Sequence, residues 1–541
     1  MAVLQQNTSD KPWLVLKFGG TSVGKFLDTI VNTIIRNLLN DYRVVVVCSA
    51  RSTDNKREGT TSRLLRAAEA VATPRAYMDD GEEGADYHAI VDAICAEHIS
   101  AAREHVREAA SCDALARQLE KECARLRSFL EAAEVIDEVS SRSRDIIIGT
   151  GERLMCQLAT AALRDVGIDA AYVSLERVIQ RAFDAKQLDQ SFYDYLAARM
   201  SAAVRQCGDR IPVVTGYFGM VPGGILNSVG RGYTDLTAAL IAVGLGAKEL
   251  QVWKEVDGVF TADPRKVPEA RVLPIITPEE AAELTYYGSE VIHPFTMEQV
   301  IRARIPIRIK NVKNPSGEGT VIFPDNAYLA SSSSAMSSPE PASPPRVLIE
   351  NGYAGDMSRR HPTAVTIKDD VIVLNIHSNR KSVSHGFFAQ VFSTLDAYGI
   401  VVDLISTSEV HVSMALGAHT NERALKHAIR ALGRFGTIDV IKNMAILSLV
   451  GRQMRNLVGI AGRMFNALAD AKVNIEMISQ GASEINISCV IEQQAADRAL
   501  NVIHERLLAK PPVAIGLDDV STALEAMVAN STSTEQQSIV R

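Results

Sequence analysis

The sequence predicts an α/β protein. A mainly parallel sheet domain over residues 1–325 is followed by a linker at 326–346, two small α/β modules at 347–440 and 441–527, and a flexible tail at 528–541. Three observations carry this reading. Apolar, β-branched runs alternate with helix-like segments through the first domain, the pattern of strands buried on both faces by helices. Residues 331–345, SSSSAMSSPEPASPP, have no apolar periodicity and too little hydrophobicity to offset ordering a backbone, so they read as a flexible linker. Beyond that linker the sequence repeats itself weakly.

In chain order, strands are expected at 13–18, 43–47, 211–214, 250–252 and 305–309, with a helix at 236–245. Between residues 79 and 127 an acidic turn, DDGEEGAD, precedes an Ala/Glu/Arg-rich stretch of helical composition, which reads as a solvated helical insertion. After the linker, residues 394–416 align with 466–491. The alignment pairs Asp403 with Glu476, Ser406 with Ser479 and, after two extra residues, Glu409 with Glu484. Each copy reads as helix, strand, turn and strand, so a duplicated unit is the economical explanation.

Composition narrows the function. The chain of 541 residues is 47% hydrophobic and 22% charged, without an uninterrupted apolar run of transmembrane length, so neither membrane insertion nor global disorder is expected. A net charge of −7 leaves no overall positive field to gather phosphate backbones, and no nucleic-acid partner is expected. The polar N-terminus lacks the basic and apolar regions of a secretory signal, which suggests a cytoplasmic protein. Seven scattered cysteines without CxxC spacing fit a reducing compartment, buried small side chains, and no metal site built from protein ligands.

The chemistry starts at residues 14–24, LVLKFGGTSVG. A strand leads to Lys17, then to the glycine turn Gly19-Gly20, then to a helix start. Glycines let backbone N–H groups approach an anion and the helix N-terminus adds a favourable dipole, so this is phosphate-cradling chemistry. Residues 19–25 also fit GxxxxGK, but Phe26 stands where a P-loop needs a magnesium-binding hydroxyl. That reading fails there, and Lys17 is the better phosphate lysine.

KFGGTSVG resembles the opening motif of aspartate kinases in the amino acid kinase superfamily, and later segments agree in order across nearly the whole chain. GTGER at 149–153 is similar to the family's Gly-Glu substrate motif. VGRGYTD at 229–235 is similar to its Arg-Gly-x-(Ser/Thr)-Asp motif, WKEVDGVFTADPR at 253–265 to its nucleotide-side segment, and YGSEVIHP at 287–294 to its closing one. The wording CSARSTDNKREGTTSRLL, RGYTDL and WKEVDG most resembles fungal monofunctional members, and the repeated modules resemble ACT domains. The resemblance implies a carbamate kinase-like catalytic domain with ferredoxin-like ACT modules, ATP-dependent phosphorylation of L-aspartate with Mg2+, and a homo-oligomer formed through the ACT modules.

Residue roles follow from that resemblance. Phosphoryl transfer needs positioning and charge neutralisation more than covalent help. Lys17, Gly19 and Gly20 are expected around the transferring phosphate, with Asp235 orienting Lys17 or the magnesium shell. Glu152 suits the substrate ammonium and Arg231 the α-carboxylate, which a guanidinium grips bidentately. The other carboxylate is the nucleophile and is already ionised at pH 7, so no general base is needed. Ser49 and Thr61 match positions lining the aspartate pocket. Lys254, Glu255, Phe260 and Arg265 match ribose, adenine and phosphate contacts. In the first module Gly386, Phe387, Asp403, Ser406, Ser408 and Glu409 surround a turn entering a helix, where an effector's carboxylate and ammonium can both be met; the resemblance makes threonine the expected regulator. Many bacterial members carry Gly where Tyr233 stands. Two other readings remain open: a catalytically silent amino-acid sensor, and a kinase of the same superfamily acting on another substrate. No GxGxxG-bearing βαβ unit follows the second module, so no fused homoserine dehydrogenase is expected.

Overall fold

The computed structural model describes residues 4–53, 58–72, 86–184, 188–230, 232–289, 292–322, 362–378, 386–408, 411–417, 421–452, 454, 457–481 and 485–509. The linker, the acidic turn at 79–86 up to residue 85, the tail, Arg231, Glu409 and Glu484 lie outside them.

The first domain is built on an eight-stranded sheet of order β3-β4-β2-β1-β5-β7-β8-β6. Its strands are β1 Trp13–Phe18, β2 Arg43–Cys48, β3 Ala170–Val173, β4 Ile211–Thr215, β5 Glu249–Lys254, β6 Ile275–Ile276, β7 Ile307–Asn311 and β8 Thr320–Ile322. All pairs are parallel except β7–β8. Alternate residues of one strand feed two cores. Leu14, Leu16 and Phe18 join Val44 and Val46 on one face, whereas Val15 joins Val45 and Val47 on the other. Burial on both faces explains why these strands read as continuous apolar runs rather than alternating ones.

Helices cover both faces: α1 Gly20–Lys25, α2 Thr60–Ala72, α3 Tyr87–His105, α4 Ala109–Val135, α5 Ser141–Asp165, α6 Gln190–Arg205, the single turn α7 Ile225–Ser228, α8 Tyr233–Leu245, α9 Pro278–Tyr286 and α10 Pro294–Arg302. The insertion is helical, as its composition suggests, but it is more than a solvated appendage. Leu115, Leu119, Cys123, Leu126 and Leu130 form a buried stripe at helical spacing along α4 and belong to the same core as β1 and β2. All seven cysteines are free, and five are buried.

The repeat forms a second, wholly antiparallel sheet of order β10-β11-β9-β12-β14-β13. Its elements are β9 Ala364–Ser378, α11 Phe387–Ala397, β10 Val402–Ser408, β11 His411–Leu416, α12 Glu422–Leu432, β12 Gly436–Val450, α13 Ile460–Asp470, β13 Met477–Ser479, β14 Asn486–Glu492 and α14 Ala496–Ile503. Ser406 stands opposite Ser413, and Ser479 opposite Ser488, so the aligned serines occupy matching places. Gly386 and Gly459 precede α11 and α13 with the same φ of 83° and ψ of 0°, a conformation that favours glycine.

The two long strands β9 and β12 each run through both modules. Ala364 to Lys368 pair with Val450 to Ile446 beside β14, whereas Val373 to Ser378 pair with Ile441 to Gly436 beside β11. Between the halves the register shifts, and Asp370 and Asn443 both take φ 58°. Each module is thus a βαββαβ unit, and the second takes its final strand from the beginning of the region rather than from its end.

The second sheet docks on the first domain through buried polar contacts. Glu280 on α9 accepts from Thr363 Oγ1 at 2.6 Å and from the Arg452 N–H at 3.1 Å, while its other oxygen completes a capping box with Thr277. Thr261 Oγ1 lies 2.9 Å from His504 Nε2, and the Val365 N–H donates to the Thr261 carbonyl at 2.8 Å. Among the described residues, no helix is long and apolar enough to cross a membrane.

Candidate active site

The site gathers at the C-terminal ends of the parallel strands, where an open α/β sheet leaves a crevice. Lys17 sits in β1 between Val47 of β2 and Val252 of β5. Its stem is enclosed by the sheet and its Nζ lies 2.7 Å from Asp235 Oδ1, in the first turn of α8. Gly19 caps α1 and Gly20 opens it. A Cβ on Gly20 would stand 2.4 Å from the Ala50 carbonyl oxygen, so the turn after β1 can lie this close to the turn after β2 only with glycine there. The Ser49 N–H donates to the Phe18 carbonyl and the Ser52 N–H to the Gly20 carbonyl, tying the two turns together. Ser49 and Thr61, the latter on α2, are half-buried at the same end.

Glu152 lies on α5 and is 1% exposed. Its carboxylate accepts from Thr234 Oγ1 at 2.7 Å, from the Tyr217 N–H and from the Tyr233 hydroxyl. Burial pushes the carboxyl up to about 7, although these donors and the nearby Lys17 ammonium pull it down. Lys17, Asp235, Glu152 and the glycine turn are thereby brought into one constellation of a cation, two carboxylates and the start of a helix.

The residues expected on the nucleotide side stand around a second space. Lys254, Glu255, Phe260 and Arg265 line a cavity of about 530 Å³ that Thr366, Ile367 and Asp369 of β9 and Leu500 of α14 also line. Arg265 is largely exposed and pairs with Asp263 at 2.7 Å. Its neighbour Lys266 bridges Asp369 at 2.9 Å and Asp497 at 3.2 Å. Ser22 of α1 links the two places by donating to the Glu255 carboxylate and, at 3.4 Å, to the Trp253 carbonyl.

The residues expected to meet an effector lie at the start of α11 and along β10. Phe387 is buried at the start of α11 after Gly386, Ser406 and Ser408 are exposed on the edge strand β10, and Asp403 is held by Lys368 at 2.8 Å.

The amino acid kinase family model matches residues 12–311, and an ACT domain model matches 447–507. Over 503 residues the chain is 53% identical to the aspartokinase of Schizosaccharomyces pombe, covering 93% of this chain and 94% of that protein. It is 50% identical over 516 residues to the aspartokinase of Saccharomyces cerevisiae, covering 94% of each. The chain belongs to the aspartokinase family. Among solved structures, E. coli aspartokinase III in complex with aspartate and ADP superposes with a TM-score of 0.68 at 26% identity, over 91% of this chain and 99% of that one. The same E. coli protein in complex with lysine and aspartate gives 0.66 at 25% identity, over 92% and 99%.

Reading the aspartokinase motifs one residue at a time missed the partners of Glu152. Thr234 is the Ser/Thr of the Arg-Gly-x-(Ser/Thr)-Asp motif, so the signal was present beside Asp235. Tyr233, a departure from the bacterial pattern, is buried and spends its hydroxyl on the same carboxylate, which with burial holds its phenol well above the ordinary value. The Tyr217 amide carries no signal in its residue type, because any residue offers an N–H.

Proposed function

We propose that this aspartokinase-family enzyme uses ATP to phosphorylate the side-chain carboxylate of L-aspartate, giving 4-phospho-L-aspartate, the entry to threonine and methionine synthesis, and that threonine inhibits it through the ACT modules. The observation that supports the transfer most is the pairing of Lys17 with Asp235 at 2.7 Å beside the Gly19-Gly20 turn, with buried Glu152 next to it. Lys17 and the turn amides are suited to the charge that spreads over the transferring phosphoryl group. Glu152 takes the substrate ammonium, Arg231 the α-carboxylate, and Ser49 and Thr61 line the pocket. Lys254, Glu255, Phe260 and Arg265 hold the nucleotide. We place the enzyme in the cytoplasm as a homo-oligomer associated through its ACT modules.

Mg2+ suits this donor set. Among the described residues no three His, Cys, Asp or Glu side chains gather into a cation cage, while Asp235 offers one carboxylate beside Lys17. A hard ion that keeps several waters and takes one or two carboxylates plus substrate phosphates fits that supply. When bound it would neutralise charge on the nucleotide phosphates. Hydroxamate formation from aspartate and ATP, with glutamate and UMP as competing acceptors in an ADP-release assay, tests the reaction; faster turnover of either competitor would refute it.

Two further expectations belong here. With its carboxyl near 7 in the free protein, Glu152 must be ionised to meet an ammonium, so aspartate binding should release a proton between about pH 6 and 7 and weaken about tenfold per unit below 7. By the same sign, the stability this raised carboxyl contributes is fully present below its ordinary pKa of 4.5 and is lost as pH rises through about 7. Calorimetry in two buffers of different ionisation enthalpy reads the proton; binding independent of pH would remove Glu152 as the ammonium partner.

For regulation, the effector must bind the inactive arrangement better than the active one, with a coupling of about 1–3 kcal/mol. Threonine should inhibit, and substitutions at Gly386, Ser406 or Ser408 should relieve inhibition while leaving effector-free kcat within a few-fold. Any side chain at Gly386 meets open space yet strains a φ of 83°, so that variant perturbs the turn without a clash. Unchanged activity at threonine tenfold above its measured binding constant, or inhibition by lysine or methionine alone, would overturn the effector assignment.

A further inference from the structure

Between β5 and β6 the chain makes a long excursion that carries Phe260 and Arg265. Its two arms pair with each other: the Thr261 N–H donates to the Arg271 carbonyl at 2.9 Å, and the Leu273 N–H to the Val259 carbonyl at 2.8 Å. At its base the first domain holds it, because the Val259 N–H donates to Thr320 Oγ1 of β8 at 2.8 Å. Its tip packs elsewhere. Ala262 and Val267 are buried in the core of the second module, in one cluster with Val365 of β9, Leu449 of β12, Leu500 and Ile503 of α14.

Three hydrogen-bonded contacts fasten the tip to that module. The Val365 N–H donates to the Thr261 carbonyl at 2.8 Å. Thr261 Oγ1 lies 2.9 Å from Nε2 of His504, in the turn that continues α14, and also accepts the Arg271 N–H at 3.1 Å. Asn501 of α14 donates through Nδ2 to the Lys266 carbonyl at 3.0 Å. Thr261 is 1% and His504 2% exposed, so water does not replace either partner unless the junction opens. The more exposed bridge from Lys266 to Asp369 and Asp497 adds little by comparison. Phe260 and Ala262, on either side of Thr261, both line the cavity, as do Ile367 and Leu500 of the second module.

We propose that the second module completes the nucleotide site, with His504 as a positioning residue: through Thr261 it holds the excursion in the shape that presents Phe260 and Arg265 to the nucleotide. This rests on the assignment of Lys254, Glu255, Phe260 and Arg265 to the nucleotide. His504 does not itself line the cavity and acts only through Thr261. A nucleotide that binds better when the junction is closed must in return hold the junction closed, because coupling between two equilibria is reciprocal.

The test uses the full-length enzyme, with steady-state kinetics on Thr261→Val, His504→Leu, His504→Gln, the Thr261→Val/His504→Leu double variant and Phe260→Ala. Thr261→Val and His504→Leu should each raise KM for ATP by roughly fivefold or more while KM for aspartate stays within about twofold. His504→Gln should recover part of the loss, because its amide still offers a hydrogen-bonding group to the Thr261 hydroxyl. The double variant should be little worse than the worse single one, since both remove the same contact. In the unsubstituted enzyme, ADP should slow hydrogen exchange at the Val365 amide by roughly fivefold or more, and aspartate alone should not. Equal rises in both KM values, an unchanged ATP KM, full additivity, or Val365 exchange indifferent to ADP would overturn the proposal. If His504→Leu does not fold, Thr261→Val and the exchange measurement carry the test. A folded Phe260→Ala enzyme with normal ATP KM would instead overturn the nucleotide-side assignment, which keeps the two failures distinct.

Discussion

Replacing Lys17 with Met should lower kcat by at least about a hundredfold while the protein stays folded. Loss of one preorganised contact to transition-state charge costs about 3 kcal/mol or more, which sets that scale. The fold should tolerate the change for a local reason. The Lys17 backbone is held on both sides by β2 and β5, and Met keeps the apolar stem that lies along the sheet. Asp235 loses its partner, and although its side chain is 19% exposed its Oδ1 is shielded from solvent, so the variant should lose about 1–3 kcal/mol of stability without unfolding. ADP release in saturating substrates, with a thermal melt alongside, reads both halves of the expectation. A folded variant with more than a tenth of wild-type kcat would refute the assignment of Lys17.

Removing either proposed aspartate partner should act on a different substrate. Glu152→Ala and Arg231→Ala should each impair aspartate use by about 2–5 kcal/mol, because one charged end of the substrate is left unpaired in a partly desolvated pocket. ATP binding, measured separately by calorimetry, should change little. Glu152 has a second duty that complicates its alanine variant. The Thr234 hydroxyl and the Tyr217 N–H would both be stranded in a buried place, at a cost of about 1–3 kcal/mol each in stability. Glu152→Gln removes the charge and keeps one acceptor oxygen, so it strands one of these donors rather than both and should cost less stability than alanine while still impairing aspartate binding. Equal losses of ATP and aspartate affinity would refute this placement of the two subsites.

Much of this molecule was legible in the chain, and the reason is periodicity. The runs at 13–18, 43–47 and 211–214 became β1, β2 and β4 almost residue for residue, because burial on both faces of a parallel sheet demands continuous apolar side chains. The insertion was read correctly as helical and incorrectly as solvated. The stripe from Leu115 to Leu130 is spread thinly among charged residues, so composition alone masks the face that joins the core.

At the site, sequence by itself determined which residue types are present and where the backbone can approach an anion. Lys17 with Gly19-Gly20 announces phosphate chemistry because lysine charge and glycine permissiveness are properties of single residues. Tertiary structure decided everything that depends on distant pairing. Glu152 meets Thr234 across 82 positions and Tyr217 across 65, and it is the burial created by that packing that raises its carboxyl to about 7, against the pull of those two donors. The repeat announced two copies of one module, but not that Ala364 to Lys368 would complete the second. Backbone hydrogen bonds are the same for every residue, so strand partners are chosen by the burial of whole faces. The cavity shared by Arg265 with Asp369 of the second sheet has the same origin: no local pattern encodes a wall contributed by another domain, and packing between the two creates it.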